Sequence, residues 1–376
     1  MGHTAAVAEG PRDVAPAGAF LTDDVDRAVR ALLDGGLVGL PTETVYGLAA
    51  DADSPRAVAR VYAAKGRPAD HPLIVHLARA EHLGAWSTGL PAYAERFAEA
   101  LWPGPLTLVV PRGPRAGHHV TGGQETVGLR VPVHPVARAV LEAFAAAPGP
   151  GSGARGAAAP SANRFGRVSP TTPRHVLDEL AAVLTPGLDV VLDGGASAVG
   201  IESTIVDCTG PEPVVLRPGV VTDEELVRVG GVALGRRTGS VRAPGMLASH
   251  YAPRARVVLR RTHHDRPPRP GSLLAEGAPT AGPPAGLLAL AEVPTPPGVV
   301  RLSAPADPAA YARVLYAALR EADALGLHTV VAVPPAGPGI AAAVRDRLGR
   351  AATGTDQDDA GTDRGRRGDG AGTDRT

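Results

Sequence analysis

The sequence predicts an α/β protein made of two units. Short apolar runs typical of buried strands alternate with segments of helical periodicity along most of the 376 residues. That length is long for one domain and comfortable for two. A Pro- and Gly-containing segment without a period, residues 236–253, divides a larger unit at 18–235 from a smaller one at 254–352. Residues 1–17 and 353–376 have the composition of a disordered leader and a disordered tail.

Composition and charge exclude several classes of protein. The 38 Lys and Arg residues balance the 38 Asp and Glu residues, so the chain lacks the basic field of a protein that mainly grips nucleic-acid backbone. A single cysteine, Cys208, excludes an internal disulfide and fits a reducing compartment. No apolar run approaches the ~20 residues of a membrane span. We therefore expect a cytoplasmic protein without membrane contact, which binds a small anionic ligand through a few local cations.

The rest of the chain is organised around residues 37–77. An apolar strand at 37–40 is stopped by Pro41, and a turn dense in hydroxyl groups follows. Ser54 and Pro55 are an N-cap and a first-turn proline, so they predict a helix that ends near Gly66. A second strand at 72–77 carries His76. This order places hydroxyl groups and positive charge around one crevice at the strand ends.

Lys65 and Arg67 lie where that helix ends, and Lys65 is the only lysine of the chain. An ammonium is a compact point charge, whereas a guanidinium is a planar fork, so the two are not interchangeable at a phosphate. The pair is the first candidate for a phosphate site. The alternative is that the lysine is a chance survivor in an arginine-rich sequence.

The remaining elements of the larger unit follow the same alternation. The pattern predicts helices at 91–101, 134–144 and 223–229, a helix that starts at residues 169–173, and strands at 106–110, 126–132, 157–163, 189–193, 204–208 and 213–217. The small-residue strand at 157–163 ends in Ser161 and Asn163, which offer hydrogen-bonding groups to a ligand close to the backbone. The Gly, Pro and Ser segment at 148–156 is predicted to be a flexible surface loop.

The smaller unit is predicted to be a Rossmann-like α/β domain with a parallel sheet. Its strands are expected at 257–259, 287–290 and 330–333, and its helices at 308–325 and 339–350. The first strand is not followed by G-x-G-x-x-G, so a dinucleotide is not predicted.

Five motifs in order resemble the threonylcarbamoyl-AMP synthase family in its longer, two-domain form. They are PTETVYGL at 41–48, KGRP at 65–68, HPLIVH at 71–76, PSAN at 160–163 and ESTIVD at 202–207. The resemblance covers about residues 20–350. It implies a twisted mixed-sheet, YrdC-like catalytic domain with an open cavity, and a linker that lies across the cavity opening.

The resemblance also implies an activity and a set of site residues. Such an enzyme condenses L-threonine, bicarbonate and ATP to threonylcarbamoyl-AMP and pyrophosphate, for the modification of adenosine 37 in tRNAs that read ANN codons. Lys65 and Arg67 would be catalytic. The implied ATP-binding residues are Lys65, Arg67, His71, Thr126, Asn163, Thr171, Arg217 and Tyr251, and the implied threonine-binding residues are Thr44, His76, Arg130, Ser161 and Ser203.

Cofactors and partners follow from the same resemblance. A Mg²⁺ ion would arrive with ATP and be held chiefly by phosphates, because the sequence has no carboxylate cluster that marks a protein-made metal site. The product would pass to a tRNA threonylcarbamoyl transferase complex, and no stable nucleic-acid binding is expected. Asp346 stands where the family commonly has an asparagine in its last helix, which makes the role of the smaller unit less certain from the resemblance.

Two alternatives remain open at this level. One is a double-stranded-RNA-binding module without synthase activity, against which the neutral charge and few aromatic residues argue. The other is carbamoyl-adenylate chemistry of the kind found in hydrogenase maturation proteins, whose zinc-finger regions a chain with one cysteine cannot supply. Without the motifs, His76 would be read as a packed core residue and Arg130 and Arg217 as ordinary surface residues.

Overall fold

The computed structural model describes residues 17–237, 239, 241–246, 250–260 and 285–363. Within them the chain forms two sheets. The predicted leader lies outside the described residues up to position 16, and so does the predicted tail from position 364. No helix in the described part of the chain is long and apolar enough to cross a membrane.

The larger sheet is mixed and has ten strands in the described residues, in the order β1-β8-β2-β3-β7-β4-β6-β5-β9-β10. The strands are β1 (Leu21–Thr22), β2 (Val38–Leu40), β3 (Gly47–Asp51), β4 (Ile74–Leu77), β5 (Leu106–Pro111), β6 (Thr126–Arg130), β7 (Gly156–Ala158), β8 (Val190–Leu192), β9 (Thr204–Asp207) and β10 (Val214–Arg217). The pairs β1·β8, β2·β8, β4·β6 and β5·β9 are parallel, and the other pairs are antiparallel. The predicted α/β class is therefore confirmed for this unit.

Helices cover both faces of this sheet. They are α1 (Val25–Leu33), α2 (Pro55–Lys65), α3 (Leu83–Trp86), α4 (Ala92–Leu101), α5 (His118–Thr121), α6 (Pro135–Ala146), α7 (Pro173–Leu180) and α8 (Asp223–Gly230). Along β3, Leu48 and Ala50 belong to one apolar cluster and Ala49 to another, as the alternation of a strand requires. The first cluster includes α2, α4 and α7, and the second includes α1 and α6.

Helix α2 begins and ends at the residues that the sequence indicates. The Ser54 side chain accepts a hydrogen bond from the Ala57 amide and caps the first turn. Gly66 terminates the helix in the left-handed region, with φ 62°, and its amide donates to Ala63. An L-residue with a side chain would be strained there. This termination fixes the direction in which Lys65 and Arg67 leave the helix.

The smaller unit is a parallel four-stranded sheet with two helices in the described residues. Its strand order is β11-β14-β12-β13. The elements are β11 (Arg256–Leu259), β12 (Ala285–Leu288), β13 (Val300–Ser303), α9 (Pro308–Ala324), β14 (Thr329–Ala332) and α10 (Ile340–Asp363). The parallel sheet matches the predicted Rossmann-like outline.

The apolar core of the smaller unit extends into the larger one. Val45, Val168 and Ile201 of the larger unit pack in the same cluster as Tyr311 and Leu315 of α9. Tyr251 of the linker belongs to that cluster as well. Burying apolar surface from both units in one cluster opposes their separation, since apolar burial contributes roughly 25 cal/mol per Å². The linker is thus part of a packed interface.

Several predicted elements differ from the structure. Strand β3 falls where the sequence indicates a turn, because its Gly, Ala and Asp residues have low strand propensity. The strand expected at 157–163 is confined to β7, and beyond it Ser161 makes an isolated bridge to Gly47. Strand β13 was not predicted. Helix α10 continues past residue 350 to Asp363, into the segment expected to be a disordered tail.

The loop at 148–156, expected to be flexible, is held by a buried arginine. The Arg155 guanidinium donates to the carbonyls of Ala147 at 2.6 Å, Pro150 at 3.1 Å and Pro148 at 3.2 Å. It also lies 5.6 Å from the centre of the Phe144 ring. The loop lines neither of the clefts described below.

Replacing Gly66 by alanine should destabilise the protein by about 1 kcal/mol, because a Cβ atom disfavours the left-handed conformation that ends α2. No atom lies within 4 Å of the position that this Cβ would take, so the cost is conformational. Denaturant unfolding measures it.

Gly349 is the matched control, since it lies inside α10 and its Cβ position is also open. Alanine there should stabilise by up to about 1 kcal/mol. Equal effects of the two substitutions would contradict the backbone argument.

Candidate active site

A cleft lies between the larger unit and the linker, and we call it the main cleft. Several of its lining residues follow strands directly or stand at strand ends. The side chains and backbone segments that line it belong to Thr42, Thr44, Val45, Gly47, Arg67, Ile74, His76, Arg130, Ala159, Pro160, Ser161, Glu202, Ser203, Arg217, Pro244, Gly245, His250 and Tyr251. Three arginines and several hydroxyl groups thus converge on one hollow.

His76 and Arg130 face the main cleft because of strand register. They are paired residues of the parallel strands β4 and β6, so their side chains emerge on the same face. Arg130 is 4% exposed and donates to the Thr44 hydroxyl at 2.9 Å. Its other terminal nitrogen forms an ion pair with Glu43 at 2.5 Å. These bonds hold the guanidinium rigidly at the cleft wall.

Arg217 and Ser203 form a second polar wall. The Arg217 guanidinium donates to the Ser203 carbonyl at 3.0 and 3.1 Å and to the Ser203 hydroxyl at 3.1 Å. It also donates to the Pro244 carbonyl of the linker at 3.1 Å. The Ser203 hydroxyl in turn lies 2.8 Å from that of Thr107. The hydrogen-bond donors of the buried Arg217 guanidinium are thus paired mainly with backbone carbonyls, which carry no full charge.

Arg67 lies at the junction with an adjoining cleft, which we call the side cleft. The guanidinium donates to the Pro72 carbonyl at 2.9 Å and lies 5.8 Å from the centre of the Phe165 ring. Burial lowers the pKa of Arg67 to about 10, so it remains a cation at neutral pH. His71 packs edge-on against Phe165 and lines the side cleft.

Lys65 lies behind this wall. Its ammonium donates to the carbonyls of Ser161 and Asn163, each at 2.6 Å, and the residue is 2% exposed. Burial shifts the pKa of Lys65 well below its ordinary value. The side chain lines neither cleft. It therefore fixes the turn that presents Ser161, and a direct contact with a phosphate stays a prediction.

The linker closes over the main cleft at Gly245. With φ 78°, Gly245 allows a close approach to the Tyr251 hydroxyl and to Arg217, which a side chain at that position would block. Tyr251 is itself held at φ 64°, a conformation uncommon for a tyrosine. Residues 247–249 lie outside the described residues.

Four buried polar atoms at the main cleft lack a hydrogen-bond partner among the described residues. They are Nε of Arg67, Nδ1 of His76, Nδ1 of His250 and the Tyr251 hydroxyl. Buried polar groups are nearly always paired, so a cluster of unpaired ones indicates groups that bond to a ligand. Burial lowers the pKa of His76 and that of His250 to about 3 each, and both rings are neutral at pH 7.

The structure brings together most of the residues that the motifs indicate. Lining the main cleft are Thr44, Arg67, His76, Arg130, Ser161, Ser203, Arg217 and Tyr251, and His71 lines the side cleft. Lys65, Thr126, Asn163 and Thr171 line neither.

Two of the three remaining residues make local bonds, although Oδ1 of Asn163 is buried without a partner among the described residues. The Asn163 amide donates to the carbonyls of Arg164 at 2.6 Å and Arg167 at 2.8 Å. The Thr171 hydroxyl lies 3.4 Å from Nδ1 of His175. Thr126 stands at the end of β6 opposite to Arg130. Their predicted ATP contacts stay predictions.

Sequence reasoning missed Glu202, Phe165 and Gly245 as site residues. Glu202 opens the ESTIVD motif, but its carboxylate is paired with residues more than a hundred positions away, which no local pattern reveals. His250 stands beside Tyr251 in the linker at 236–253, which the family resemblance places across the cavity opening.

The fold and the two clefts define a two-domain α/β protein whose site suits small anionic ligands. The Sua5/YciO/YrdC family model, described as telomere recombination, matches residues 30–219. The model for the C-terminal domain of threonylcarbamoyl-AMP synthase matches residues 221–353.

Individual relatives agree. The threonylcarbamoyl-AMP synthase of Pyrococcus abyssi is 36% identical over 332 residues, which covers 85% of this chain and 91% of the relative. That of Bacillus subtilis is 38% identical over 241 residues, 62% of this chain and 66% of the relative. A crystal structure of P. abyssi Sua5 complexed with L-threonine superposes with a TM-score of 0.75 at 35% identity, covering 88% of this chain and 94% of that one.

The chain therefore belongs to the threonylcarbamoyl-AMP synthase family, and the resemblance seen in its motifs is confirmed. It is an enzyme of the nucleotidyltransferase type.

Replacing Lys65 by methionine should destabilise the protein by at least about 2 kcal/mol and remove most activity, because two buried carbonyls lose their donor. Lys65→Arg should not restore either property, since the larger guanidinium must enter a site closed around an ammonium. Denaturant unfolding and turnover measure the two effects.

Arg56→Met on the exposed face of the same helix is the control and should stay close to wild type. Wild-type turnover by Lys65→Arg would show that the geometry around the ammonium is unimportant.

Lowering the pH from 7 to 5 should destabilise the protein by about 1–2 kcal/mol for each of His76 and His250. Their pKa values in the folded protein, about 3, lie below the unfolded value of 6.5. The unfolded chain therefore takes up more protons between these limits, and stability is lost as the pH falls through 6.5.

The free energy of unfolding at a series of pH values gives this slope. The His76→Gln variant should show a shallower slope than wild type, whatever its absolute stability. An unchanged slope would mean that His76 is protonated equally well in both states.

Proposed function

We propose that this enzyme condenses L-threonine, bicarbonate and ATP into threonylcarbamoyl-AMP and pyrophosphate. The observation that carries the proposal is the cluster of unpaired polar atoms beside three buried arginines at one cleft. The names of the relatives and the L-threonine complex of P. abyssi Sua5 support the same substrates.

The amino acid is proposed to bind at the Arg130 wall. A planar guanidinium suits a carboxylate, because it can donate two parallel hydrogen bonds. The hydroxyl groups of Thr44, Ser161 and Ser203 line the same cleft and can bond to the amine and hydroxyl of threonine. Neutral His76 can accept a hydrogen bond through its unpaired Nδ1.

The nucleotide is proposed to extend from Arg217 past Arg67 into the side cleft. Both guanidinium groups donate to backbone carbonyls and not to a carboxylate. Their positive charge therefore remains available to phosphate groups. His71 and Phe165 supply aromatic surface in the side cleft. Of the predicted ATP-binding residues, Tyr251 contributes its unpaired hydroxyl from the linker.

This reaction needs no nucleophile from the protein. The amine of threonine takes up bicarbonate to form a carbamate with loss of water, a carbamate oxygen attacks the α-phosphorus of ATP, and pyrophosphate leaves. Holding the reactants in place can contribute ~7–11 kcal/mol. A donor aimed at the developing charge can add about 10²- to 10³-fold in rate. Rigidly held arginines supply both effects.

We propose that Mg²⁺ enters with the phosphates of ATP. Both oxygens of Glu202 already accept hydrogen bonds, and those of Glu43 bond to Arg130 and to the Val133 amide. No group of three or more His, Cys, Asp or Glu residues that could hold a metal ion occurs among the described residues. The fit therefore favours a metal held by phosphate oxygens and water.

The product is proposed to serve a tRNA threonylcarbamoyl transferase complex in the cytoplasm, for adenosine 37 of tRNAs that read ANN codons. A carbamoyl–phosphate anhydride carries an activated acyl group, which a second enzyme can transfer. The balanced net charge of the chain fits an enzyme that does not itself hold nucleic acid.

The test is pyrophosphate release from ATP, which should require both L-threonine and bicarbonate. Arg67→Ala should lower kcat/KM by about 10²-fold, since it removes a buried cation from the junction of the clefts. Arg174→Ala is the control, because that side chain is 77% exposed and pairs with Asp178 of its own helix.

Threonine-independent release would overturn the proposed reaction. A protein that ignores ATP but binds double-stranded RNA in a salt-dependent manner would support the alternative module.

A further inference from the structure

The carboxylate of Glu202 is buried in the wall of the main cleft, and the smaller unit supplies much of its bonding. Glu202 is 6% exposed. One carboxylate oxygen accepts from the Ser169 hydroxyl at 2.6 Å. The other accepts from Tyr316 of α9 and from Arg347 of α10, each at 2.8 Å. A cleft-lining residue of the larger unit is thus satisfied across the interface.

Arg347 joins the smaller unit to both the larger unit and the linker. Its side chain is completely buried. Besides Glu202 it donates to the Pro218 carbonyl of the larger unit at 2.9 Å and to the neighbouring Asp346 at 2.6 Å. Its guanidinium lies 5.5 Å from the centre of the Tyr251 ring, and that ring stacks on Tyr316 at 5.6 Å. One cation therefore contacts three parts of the chain.

Charge explains why this arrangement matters at the cleft. Burial alone would raise the pKa of the Glu202 carboxyl, but the guanidinium groups of Arg347 and Arg217 outweigh it and lower the pKa to about 2. Glu202 is therefore an anion at neutral pH, in a cleft proposed to bind phosphates. Without Arg347, that negative charge would act on Arg217 and on the ligand with little compensation.

We infer that Arg347 is a positioning residue for the nucleotide site: it neutralises Glu202, leaves Arg217 available to phosphate groups, and holds Tyr251 of the linker over the cleft. Tyr316 assists by donating to the same carboxylate. The inference rests on the proposed function for the identity of the ligand. It gives the smaller unit a role at the active site that needs no ligand of its own.

A net-charge argument separates this role from simple structural support. ATP carries several negative charges, whereas L-threonine is a zwitterion with no net charge. An uncompensated Glu202 should repel ATP far more than threonine. Loss of folded structure would instead weaken the binding of both ligands alike, and removing the charge of Glu202 would not restore the affinity.

The experiment measures the Kd of ATP, without threonine or bicarbonate, and separately the Kd of L-threonine, by calorimetry on the full chain. Arg347→Gln should raise the Kd of ATP at least about 10-fold and the Kd of threonine by less than about 3-fold. The double variant Glu202→Gln with Arg347→Gln should recover most of the ATP affinity, because both partners are then neutral.

Arg345→Gln is the matched control, since Arg345 lies on the same helix, is exposed, and donates to the Pro335 carbonyl of its own unit. It should bind both ligands like wild type. If Arg347→Gln does not fold, Tyr316→Phe with and without Glu202→Gln replaces it. This change removes one donor to the carboxylate but leaves the charge of Arg347 in place, so we expect a smaller weakening of ATP binding that is again selective over threonine and corrected by Glu202→Gln.

Three outcomes would overturn the inference. The first is wild-type ATP affinity in a folded Arg347→Gln variant. The second is an equal loss of affinity for ATP and for threonine. The third is a double variant whose ATP affinity does not recover.

Amide hydrogen exchange at residues 250–252 gives a readout that does not require ATP. The Ala252 amide donates to Gly166 at 2.9 Å, and its exchange should accelerate in Arg347→Gln but not in Arg345→Gln. Unchanged exchange would overturn the linker part of the inference. A wild-type protein that does not bind ATP would overturn the proposed function, while this measurement would still test the contact.

Discussion

The site depends on positive charge that is buried and held mainly by uncharged oxygen atoms. At the cleft wall Arg67 bonds to one backbone carbonyl, and Arg217 bonds to those of Ser203 and Pro244. A carbonyl dipole orients a cation without cancelling its charge, whereas a carboxylate would do both. The cleft therefore retains a net attraction for anions. Burying these cations costs desolvation free energy, which lowers the pKa values of Arg67 and Arg217.

The two carboxylates near the cleft are the exceptions, and each is matched to one arginine. Glu43 pairs with Arg130 inside the larger unit, while Glu202 pairs with Arg347 from the smaller one. The second pair makes the interface between the units part of the electrostatic balance of the site. The apolar cluster that joins Val45 and Ile201 to α9 keeps that interface closed.

The sequence predicted much of this because several signals are local. The Ser54 cap and the Gly66 terminus of α2 are properties of neighbouring residues, and both were read correctly. The position of β3 was missed, because its small residues form a strand only through pairing with β2 and β7. For the site, motifs identified which residues lie near the cleft. They could not show that Lys65 points to the backbone of the PSAN turn, since that depends on packing between segments almost a hundred residues apart.

The lone lysine has a consequence for the chemistry of the protein surface. Because the sequence contains one lysine and its ammonium is enclosed at 2% exposure, the folded protein offers no lysine amine to acylating reagents, cross-linkers or enzymes that modify lysine. Modification of that amine would require the turn at Ser161 to open first. Side-chain amine reactivity is thus a direct report on whether this wall of the cleft is intact.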